Sequence, residues 1–310
     1  MQDVLNIVEL LKSNQAVAAS DWPQDAAFSP YVFGLEERDG RLSWIVSPSE
    51  LNPADLRQSL KQKSTDVTEL EVIGIVDSTN SFLIAKAQKV SIHQHVCAAE
   101  FQFAGRGRRG RRWVSPYGRN LAISYGHQSQ RALPELGGLS LVVGLAIYEA
   151  FYQLGGNSIG LKWPNDLLHS GEKIGGILID LIQQGTAVAA VIGCGINVAL
   201  TKADLEALDQ PASDLRKAGV VADRNEILSV MLARIQQFIQ HYETSGFAPF
   251  AEAFNTAHVL HGEFCWVYRG SQATEAKVLG VSELGELVVE TERGREHIHS
   301  GEVSVRPKQT

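Results

Sequence analysis

Cysteine is scarce in this sequence, and the few cysteines form neither a metal-binding nor a disulfide pattern. Cys97, Cys194 and Cys265 are odd in number, far apart and set among apolar neighbours. Without a CxxC spacing, a cysteine-based metal site is excluded, and buried reduced thiols are expected. Two HxH pairs, at 93–95 and 297–299, have no cysteine or carboxylate cluster beside them, so we do not expect them to bind metal.

The sequence also lacks an apolar run of the length that crosses a membrane, and positive charge is in deficit. The first four residues carry no basic targeting segment, so a cytoplasmic protein without a membrane partner is expected. The formal net charge of −7 argues against general affinity for nucleic acid, so any such binding has to be local. With 310 residues, 44% of them apolar, the chain is long enough for a large core and one or two smaller domains.

One stretch departs from this acidic background. Residues 105–113 read GRGRRGRRW, so five of nine are arginine and the rest of the chain carries −12. Guanidinium groups match the geometry of phosphate and carboxylate oxygens, and the glycines allow the backbone to approach a ligand closely. The pattern predicts a loop around an anion; a basic surface loop without a ligand is the alternative.

The three glycines of this stretch also satisfy the GxGxxG dinucleotide fingerprint, which requires a strand before it and a helix after it. Here Pro116 and Gly118 follow, and then the apolar run 121–125. A strand–loop–strand arrangement fits better, so we reject a dinucleotide site of the Rossmann type.

The N-terminal residues predict a small unit of their own. A helix is expected over 3–12, and a hairpin over 31–35 and 41–46, whereas Pro23 and Pro30 interrupt the segment between them. A short helix at 54–60 precedes the polar linker 61–66, where we place the first domain boundary.

Three further motifs lie at the ends of predicted strands. Strand 70–76 leads into Ser78-Thr79-Asn80 at the start of a helix; these residue types cap helices, but they also bind an anion or a polar ring. KWPND at 162–166 and Lys173 beside Gly175 and Gly176 form a predicted hairpin before strand 177–182. Lys162 and Asp166 could form a plain ion pair, worth about 0–1 kcal/mol if exposed. GCGIN at 193–197 closes strand 187–194.

The remaining pattern is helical and then β. A helix at 139–154 is expected in the core, and an amphipathic helix at 225–242. Shorter helical pieces are predicted at 203–208, 212–218 and 247–254. From residue 262 short alternating strands predict a small β-barrel.

Taken in order, these motifs closely resemble those of bacterial biotin protein ligases over roughly residues 66–310. The resemblance implies an α+β fold: a mixed β-sheet with helices, like the catalytic domains of class II synthetases and biotin ligases, at 66–260, and an SH3-like β-barrel at 261–310. Residues 1–65 would be a degenerate winged-helix-like domain.

The implied reaction has two steps with ATP and biotin as substrates and Mg²⁺ bound with ATP. The biotin carboxylate attacks the α-phosphate to give biotinyl-5′-AMP, and a lysine of a biotin carboxyl carrier protein then takes the acyl group. Both transition states collect negative charge on oxygen, which fixed cations stabilise.

The resemblance also implies roles for residues of this chain. Catalytic roles fall to Lys173, Arg106, Arg108 and Asp166, the last as a base or orienting group for the incoming amine. Biotin would be bound by Ser78, Thr79, Asn80, Gln102, Arg106, Gly107, Arg108, Lys173, Gly176 and Gly193. The nucleotide would be bound by Arg109, Arg111, Trp113, Asn165 and Asn197. No protein metal ligand is implied.

Two departures from the family pattern stand out. Family members that repress transcription carry an N-terminal winged helix-turn-helix; here the first helix and the hairpin are retained, but the recognition-helix region is short and interrupted by proline, so DNA binding is not favoured. The loop expected over the adenine, 205–212, has no aromatic residue.

The implied partners are the biotin carboxyl carrier protein of acetyl-CoA carboxylase and a second copy of the chain, joined through a sheet edge. Two alternatives stay open. One is a lipoate or octanoate ligase or transferase on the same scaffold, and the other is a biotin-sensing, DNA-binding repressor.

Overall fold

Three β-sheets organise the computed structural model, which describes residues 1–25, 28–185, 187–301 and 303–308. The first sheet is small and N-terminal. It contains β1 (Val17–Ala18), β2 (Leu35–Arg38) and β3 (Arg41–Trp44) in the order β1-β3-β2, beside helix α1 (Gln2–Lys12). The predicted helix and hairpin are therefore present.

The segment between α1 and the hairpin differs from a DNA-reading domain. After β1, its described residues include the 3₁₀ turns Ala19–Asp21 and Pro30–Phe33 and no second α-helix; Ala26 and Ala27 lie outside the described residues. The first hairpin strand begins at Leu35 and not at residue 31 as predicted. The reason is that Pro30 starts the second 3₁₀ turn and Gly34, with φ of 76°, ends it.

The N-terminal unit shares a hydrophobic core with the largest of the three sheets. The ring of Phe33 lies 4.8 Å from that of Phe101 and 5.2 Å from that of Tyr117, centroid to centroid. Leu5 of α1 packs so closely on Gly74 that a Cβ there would lie 2.8 Å from Cδ2 of Leu5. This unit is therefore packed on the sheet through buried apolar contacts.

Helix α2 (Pro53–Gln62) packs with a different core. Its Leu56 and Leu60 are buried in the main cluster together with residues of the central sheet and the long helices. Helix α2 therefore packs with the main cluster and not with the N-terminal cluster.

The central sheet has seven strands in the order β4-β5-β6-β10-β9-β8-β7. Only β4 and β5 are parallel, and the other neighbours are antiparallel, so the sheet is mixed, as predicted. The strands are β4 (Glu69–Val76), β5 (His95–Gln102), β6 (Asn120–Ser129), β7 (Ile159–Lys162), β8 (Asp166–His169), β9 (Glu172–Gln184) and β10 (Ala187–Asn197). Helix α3 (Thr79–Ala87) connects the parallel pair.

The glycine motifs of β9 and β10 lie within strands and not in turns. Gly176 pairs with Gly195, and Gly175 pairs with Ile196, so both strands continue through their glycines. Glycines facing each other leave space above the sheet where side chains would otherwise stand.

The helices α4 (Leu139–Gln153) and α6 (Arg224–Ser245) pack against each other in the main core. Two shorter helices, α5 (Lys202–Glu206) and α7 (Ala251–Ala257), follow the predicted positions, and a 3₁₀ turn, Ala248–Phe250, precedes α7.

The predicted helical piece at 212–218 is wrong. The main-chain N–H of Ser213 donates to the carbonyl oxygen of Lys173 at 3.0 Å, and Ala212 bridges to Lys173 on β9. The backbone is thus bonded to a neighbouring strand, and only turns follow.

One helical stretch, Leu133–Gln153, is long and apolar enough to cross a membrane by length and composition, contrary to the prediction that no such run exists. Of its most apolar window, 61% is buried inside the protein. Since α4 packs against α6 and the sheet, this is the pattern of a core helix.

The third sheet is five-stranded and antiparallel, in the order β14-β13-β12-β11-β15, consistent with the expected SH3-like barrel. Its strands are β11 (Phe264–Arg269), β12 (Gln272–Val281), β13 (Leu287–Thr291), β14 (Gly294–Ile298) and β15 (Val303–Pro307). The indole N–H of Trp163 donates to the carbonyl oxygen of Gly285 at 3.1 Å, which joins the barrel to the KWPND segment. The three cysteines are free and buried, as predicted.

Candidate functional site

A cavity of about 640 Å³ lies between the loop of residues 105–113, called here the arginine loop, the glycines of β9 and β10, and the barrel. Every site residue predicted from the sequence except Asn197 lines it. These residues are Ser78, Thr79, Asn80, Gln102, Arg106, Gly107, Arg108, Arg109, Arg111, Trp113, Asn165, Asp166, Lys173, Gly176 and Gly193. Lys173 and Arg108, far apart in sequence, thus share one cavity.

One end of the cavity is a hydrogen-bonded polar wall at the start of α3. Ser78 is the N-cap of this helix and accepts from the N–H of Ser81, so the capping interpretation holds for Ser78. The main-chain N–H of Thr79 donates to Oε1 of Gln102 at 2.8 Å. Asn80 accepts from the hydroxyl of Ser124 at 2.5 Å through Oδ1. These buried groups are held in fixed orientations that suit a polar ring.

The arginine loop is a tight hairpin. The N–H of Gly107 donates to the carbonyl oxygen of Arg111 at 2.7 Å, and that of Trp113 donates to Gly105 at 2.8 Å. At the tip Arg109 and Gly110 have φ of 58° and 71°, so Gly110 occupies the left-handed region that favours glycine. A strand follows the loop and not a helix, which confirms that the dinucleotide fingerprint does not apply.

Two arginines anchor the loop on opposite sides. Arg106 forms two hydrogen bonds with the carboxylate of Asp180, at 3.0 and 3.2 Å. Arg108 donates to Oδ1 of Asn165 at 2.9 Å and to the main-chain oxygen of Ser300 in the barrel. Burial lowers the pKa of Arg108, although the nearby carboxylate of Asp166 opposes this effect. A guanidinium nevertheless stays charged at neutral pH.

Lys173 also lines the cavity, and its Nζ lies 2.6 Å from Oδ1 of Asp166. Asp166 therefore pairs with Lys173 and not with Lys162, the pair considered from the sequence. A Cβ at Gly176 would lie 3.2 Å from Nζ of Lys173, so glycine leaves room for this pair. Nζ also lies 5.7 Å from the ring centroid of Trp113.

Two glycines of β10, Gly193 and Gly195, each leave room for a side chain that lines the cavity. A Cβ at Gly193 would lie 2.2 Å from Oδ1 of Asn80, and one at Gly195 would lie 2.4 Å from the ring of Trp113. Asn80 and Trp113 thus occupy the space above β10, and side chains on that strand would displace them.

Asn197 does not line the cavity but contacts the backbone of Lys173, which does. It is buried, and its Nδ2 donates to the carbonyl oxygens of Ser213 at 3.0 Å and Lys173 at 3.4 Å. It supports the backbone that carries Lys173.

Several lining residues were missed from the sequence. Lys162 lines the cavity, and burial lowers its pKa. The loop expected over the adenine reaches the cavity with Ala207, Asp209 and Gln210, and it has no aromatic residue there. The barrel contributes Val303, Ser304 and Val305, which no local pattern marks as part of a site. Asp180 was also missed. It is not among the lining residues but accepts from Asn80 and Arg106, which are, and the alternation from Gly176 along β9 could have found it.

Among the described residues, no group of three or more histidine, cysteine, aspartate and glutamate side chains is arranged to hold a metal ion. The carboxylates that line the cavity are those of Asp166 and Asp209.

His258, behind Lys162, supplies a pH-dependent prediction. It is 4% exposed, and neither ring nitrogen has a hydrogen-bond partner among the described residues. Burial, with smaller contributions from His261 and Lys162, lowers the pKa of His258 to about 4. Because this pKa lies below the ordinary 6.5, the unfolded chain binds more protons between the two values. Above about pH 6.5 His258 is neutral in both the folded and the unfolded chain, and the free energy of unfolding is not reduced. As the pH falls toward 4, only the unfolded chain takes up the proton, so the free energy of unfolding decreases.

We expect His258→Phe to flatten the pH dependence of the free energy of unfolding by about 3 kcal/mol between pH 6.5 and 4. Urea unfolding of both proteins across this range measures the difference. Equal slopes in the variant and the parent would show that His258 takes up no proton on unfolding.

The sequence is similar to known proteins over most of the chain. The sequence profile of the "Biotin/lipoate A/B protein ligase family" matches residues 72–197, and that of the "Biotin protein ligase C terminal domain" matches residues 262–306. The chain is 30% identical to the bifunctional ligase/repressor BirA of Escherichia coli K12 over 84% of this chain and 80% of that protein. It is 33% identical to the biotin–[acetyl-CoA-carboxylase] ligase of Paracoccus denitrificans over 73% of this chain and 96% of the relative.

A solved structure shares the fold. The biotin protein ligase of Aquifex aeolicus, crystallised with biotin and ATP, is 31% identical and superposes with a TM-score of 0.66. The match covers 78% of this chain and 100% of that one.

Proposed function

The chain belongs to the biotin protein ligase family and is a ligase enzyme, and we propose that it attaches biotin to a lysine of the biotin carboxyl carrier protein of acetyl-CoA carboxylase through biotinyl-5′-AMP. The observation that carries this proposal is the meeting of five sequence motifs in one cavity, with Lys173 and Arg108 on its walls. The two substrates differ in size and charge: biotin is small and has a polar ring, whereas ATP is larger and strongly anionic. A cavity of about 640 Å³ with one hydrogen-bonded end and one cationic end suits this pair.

In the proposed first step a biotin carboxylate oxygen bonds to the α-phosphorus of ATP, and the bond to pyrophosphate breaks. Two anionic groups must meet, so a cation between them is required. Lys173 is proposed for this place, and it exchanges Asp166 for the ligand oxygens as they arrive. Arg106 and Arg108 add charge-assisted hydrogen bonds from the loop above.

In the proposed second step the lysine amine of the acceptor attacks the acyl carbon, AMP leaves, and the amine loses a proton. Asp166 is the proposed base or orienting group. Its pairing with Lys173 at 2.6 Å suits this order of events, because the carboxylate becomes free only when Lys173 has moved to phosphate.

The polar wall is proposed to hold the ring system of biotin. Ser78, Thr79, Asn80 and Gln102 supply the hydrogen-bonding groups. Gly107, Gly176 and Gly193 also line the pocket, and the last two leave room for Lys173 and Asn80. Arg109, Arg111, Trp113 and Asn165 are proposed to line the nucleotide end, with Asn197 acting through the Lys173 backbone. Mg²⁺ usually binds with few protein carboxylates and several phosphate oxygens. The two carboxylates at the cavity fit a Mg²⁺ ion carried in with ATP.

Biotin-dependent exchange of labelled pyrophosphate into ATP tests the first step, and transfer of labelled biotin to a purified carrier domain tests the second. Exchange with saturating biotin is expected. Absence of exchange in a folded preparation that binds ATP would overturn the proposed function.

Lipoate or octanoate as the acid remains the alternative closest in chemistry, since the matching family profile includes lipoate ligases. The same exchange assay with the two acids in place of biotin separates them. The relatives named for biotin favour biotin.

Repression is not proposed, because the described part of residues 13–34 has no recognition helix and the N-terminal unit is packed on the catalytic sheet. A gel-shift with the chain's own promoter, with and without biotin and ATP, is expected to show no shift.

We propose three structural units, an N-terminal unit, a catalytic unit and a barrel beginning near residue 261, with the first boundary before Leu51 on packing grounds. Homodimerisation is proposed through the β4 edge. The other edge strand is already bonded, since the N–H of Val259 donates to the carbonyl oxygen of Leu161 at 2.8 Å. Light scattering with and without biotin and ATP tests it.

We expect Gly193→Ala to weaken biotin binding by about tenfold or more, because its Cβ would lie 2.2 Å from Oδ1 of Asn80 and displace a buried hydrogen-bonding group. Titration calorimetry measures the affinity. Gly137→Ala, at a position with φ of −57° and no atom near the added carbon, is the control. Unchanged biotin affinity in Gly193→Ala would remove Asn80 from the pocket wall.

A further inference from the structure

Asp180 joins the polar wall to the arginine loop through a single carboxylate. Its Oδ2 accepts from Nδ2 of Asn80 at 2.8 Å and from Nη1 of Arg106 at 3.2 Å, while Oδ1 accepts from Nη2 of Arg106 at 3.0 Å. Asn80 and Arg106 are thus linked through one oxygen atom, so a shift of either changes the hydrogen bond of the other.

On β9, Asp180 follows the residues of one face, Gly176 and Leu178, that line the cavity. Alternate residues of a strand share one face, so Asp180 lies on the face of these two residues. Asn80 also donates to the carbonyl oxygen of Leu178 at 3.1 Å, so both N–H groups of its amide are used along this strand. A ligand that displaces Asn80 therefore disturbs Asp180 directly.

The loop has anchors of two kinds. Arg108 ties it to Ser300 on the barrel side, whereas Arg106 ties it to the polar wall through Asp180. The Arg106–Asp180 pair is partly exposed, with side-chain exposures of 42% and 23%. Such a pair is weak enough for a ligand to change and strong enough to bias the loop.

We propose that Asp180 is a positioning residue that couples occupancy of the biotin pocket to the position of the arginine loop. Biotin bound at Asn80 alters the bond to Oδ2 and thereby the grip on Arg106, so the loop responds before ATP arrives. The inference rests on the proposed function, because it takes biotin as the ligand of Asn80.

Limited digestion with trypsin tests the coupling, since the loop offers arginine cleavage sites. Cleavage within 106–112 is followed by mass spectrometry, with and without D-biotin and without ATP. Biotin is expected to change the cleavage rate of the parent protein. In Asp180→Asn the ligand-free loop is expected to be cut about two- to fivefold faster, the factor for a partly exposed ion pair, and the effect of biotin is expected to be lost.

Asp180→Glu restores the carboxylate and should restore the response to biotin, which a merely structural role would not require. The matched control is Glu296→Gln, which breaks an arginine–carboxylate pair of similar exposure, 42% and 31%, in the barrel. It is expected to leave loop cleavage unchanged.

The outcomes separate the two proposals. If biotin neither binds the parent nor supports exchange, the proposed function fails. If biotin changes cleavage equally in the parent and in Asp180→Asn, with equal ligand-free rates, the function stands and the coupling through Asp180 is overturned.

Discussion

Lys173→Ala is expected to slow biotin-dependent exchange of pyrophosphate into ATP by about two to three orders of magnitude, the loss typical when a group that stabilises transition-state charge is removed. Nζ of Lys173 stands 2.6 Å from Asp166 in the cavity, where its place is kept open by Gly176. Negative charge at the carboxylate–phosphate junction is greatest in the transition state, so the rate should fall far more than biotin affinity.

The measurement pairs exchange kinetics with calorimetric titration of biotin for each variant. Lys202→Ala removes a lysine whose side chain is 90% exposed and serves as the control. The unpaired Asp166 that Lys173→Ala leaves is 25% exposed, so water can solvate it and the variant should fold. Equal losses in rate and in biotin affinity would assign Lys173 to ground-state binding only.

Arg108→Ala is expected to release biotinyl-5′-AMP about 10- to 100-fold faster, the range for loss of a hydrogen bond to a charged group. In the protein Arg108 joins the loop to Asn165 at 2.9 Å and to the barrel carbonyl of Ser300. Without it, the loop loses both its barrel-side anchor and a cation that lines the cavity.

Release is measured by forming labelled adenylate on the enzyme, adding excess unlabelled biotin and ATP, and following label that passes a filter. Arg269→Ala, which removes an arginine of 42% side-chain exposure from the barrel pair with Glu296, should release adenylate at the parent rate. Identical dissociation from Arg108→Ala and the parent would mean that the loop closes without this guanidinium.

The motifs could be identified from sequence because each is local. The arginine loop, KWPND, Lys173 beside two glycines and GCGIN are short runs whose residue types favour particular backbone and ligand chemistry, and all of them reach the cavity. Strands β4 and β5 and helix α4 also follow from periodicity over a few residues.

The two errors in secondary structure have different causes. Residues 31–33, predicted as a strand, form a 3₁₀ turn for a local reason, because Pro30 begins it and Gly34 ends it. Residues 212–218 have helical composition, yet the N–H of Ser213 bonds to Lys173 of β9 and that of Leu215 bonds to Asn197 of β10. This second outcome depends on which strand is close, which no window of sequence contains.

By itself, the sequence determined the chemistry available to this protein: the cations, the glycines beside them and the order of strands and helices that carries them. The tertiary structure alone decided which partners meet. Asp166 pairs with Lys173, Asp180 joins Asn80 to Arg106, and the N-terminal unit shares its core with Phe101. These contacts depend on the register of β9 against its neighbours and on close packing between elements distant in sequence, whereas motif and periodicity act over a few residues.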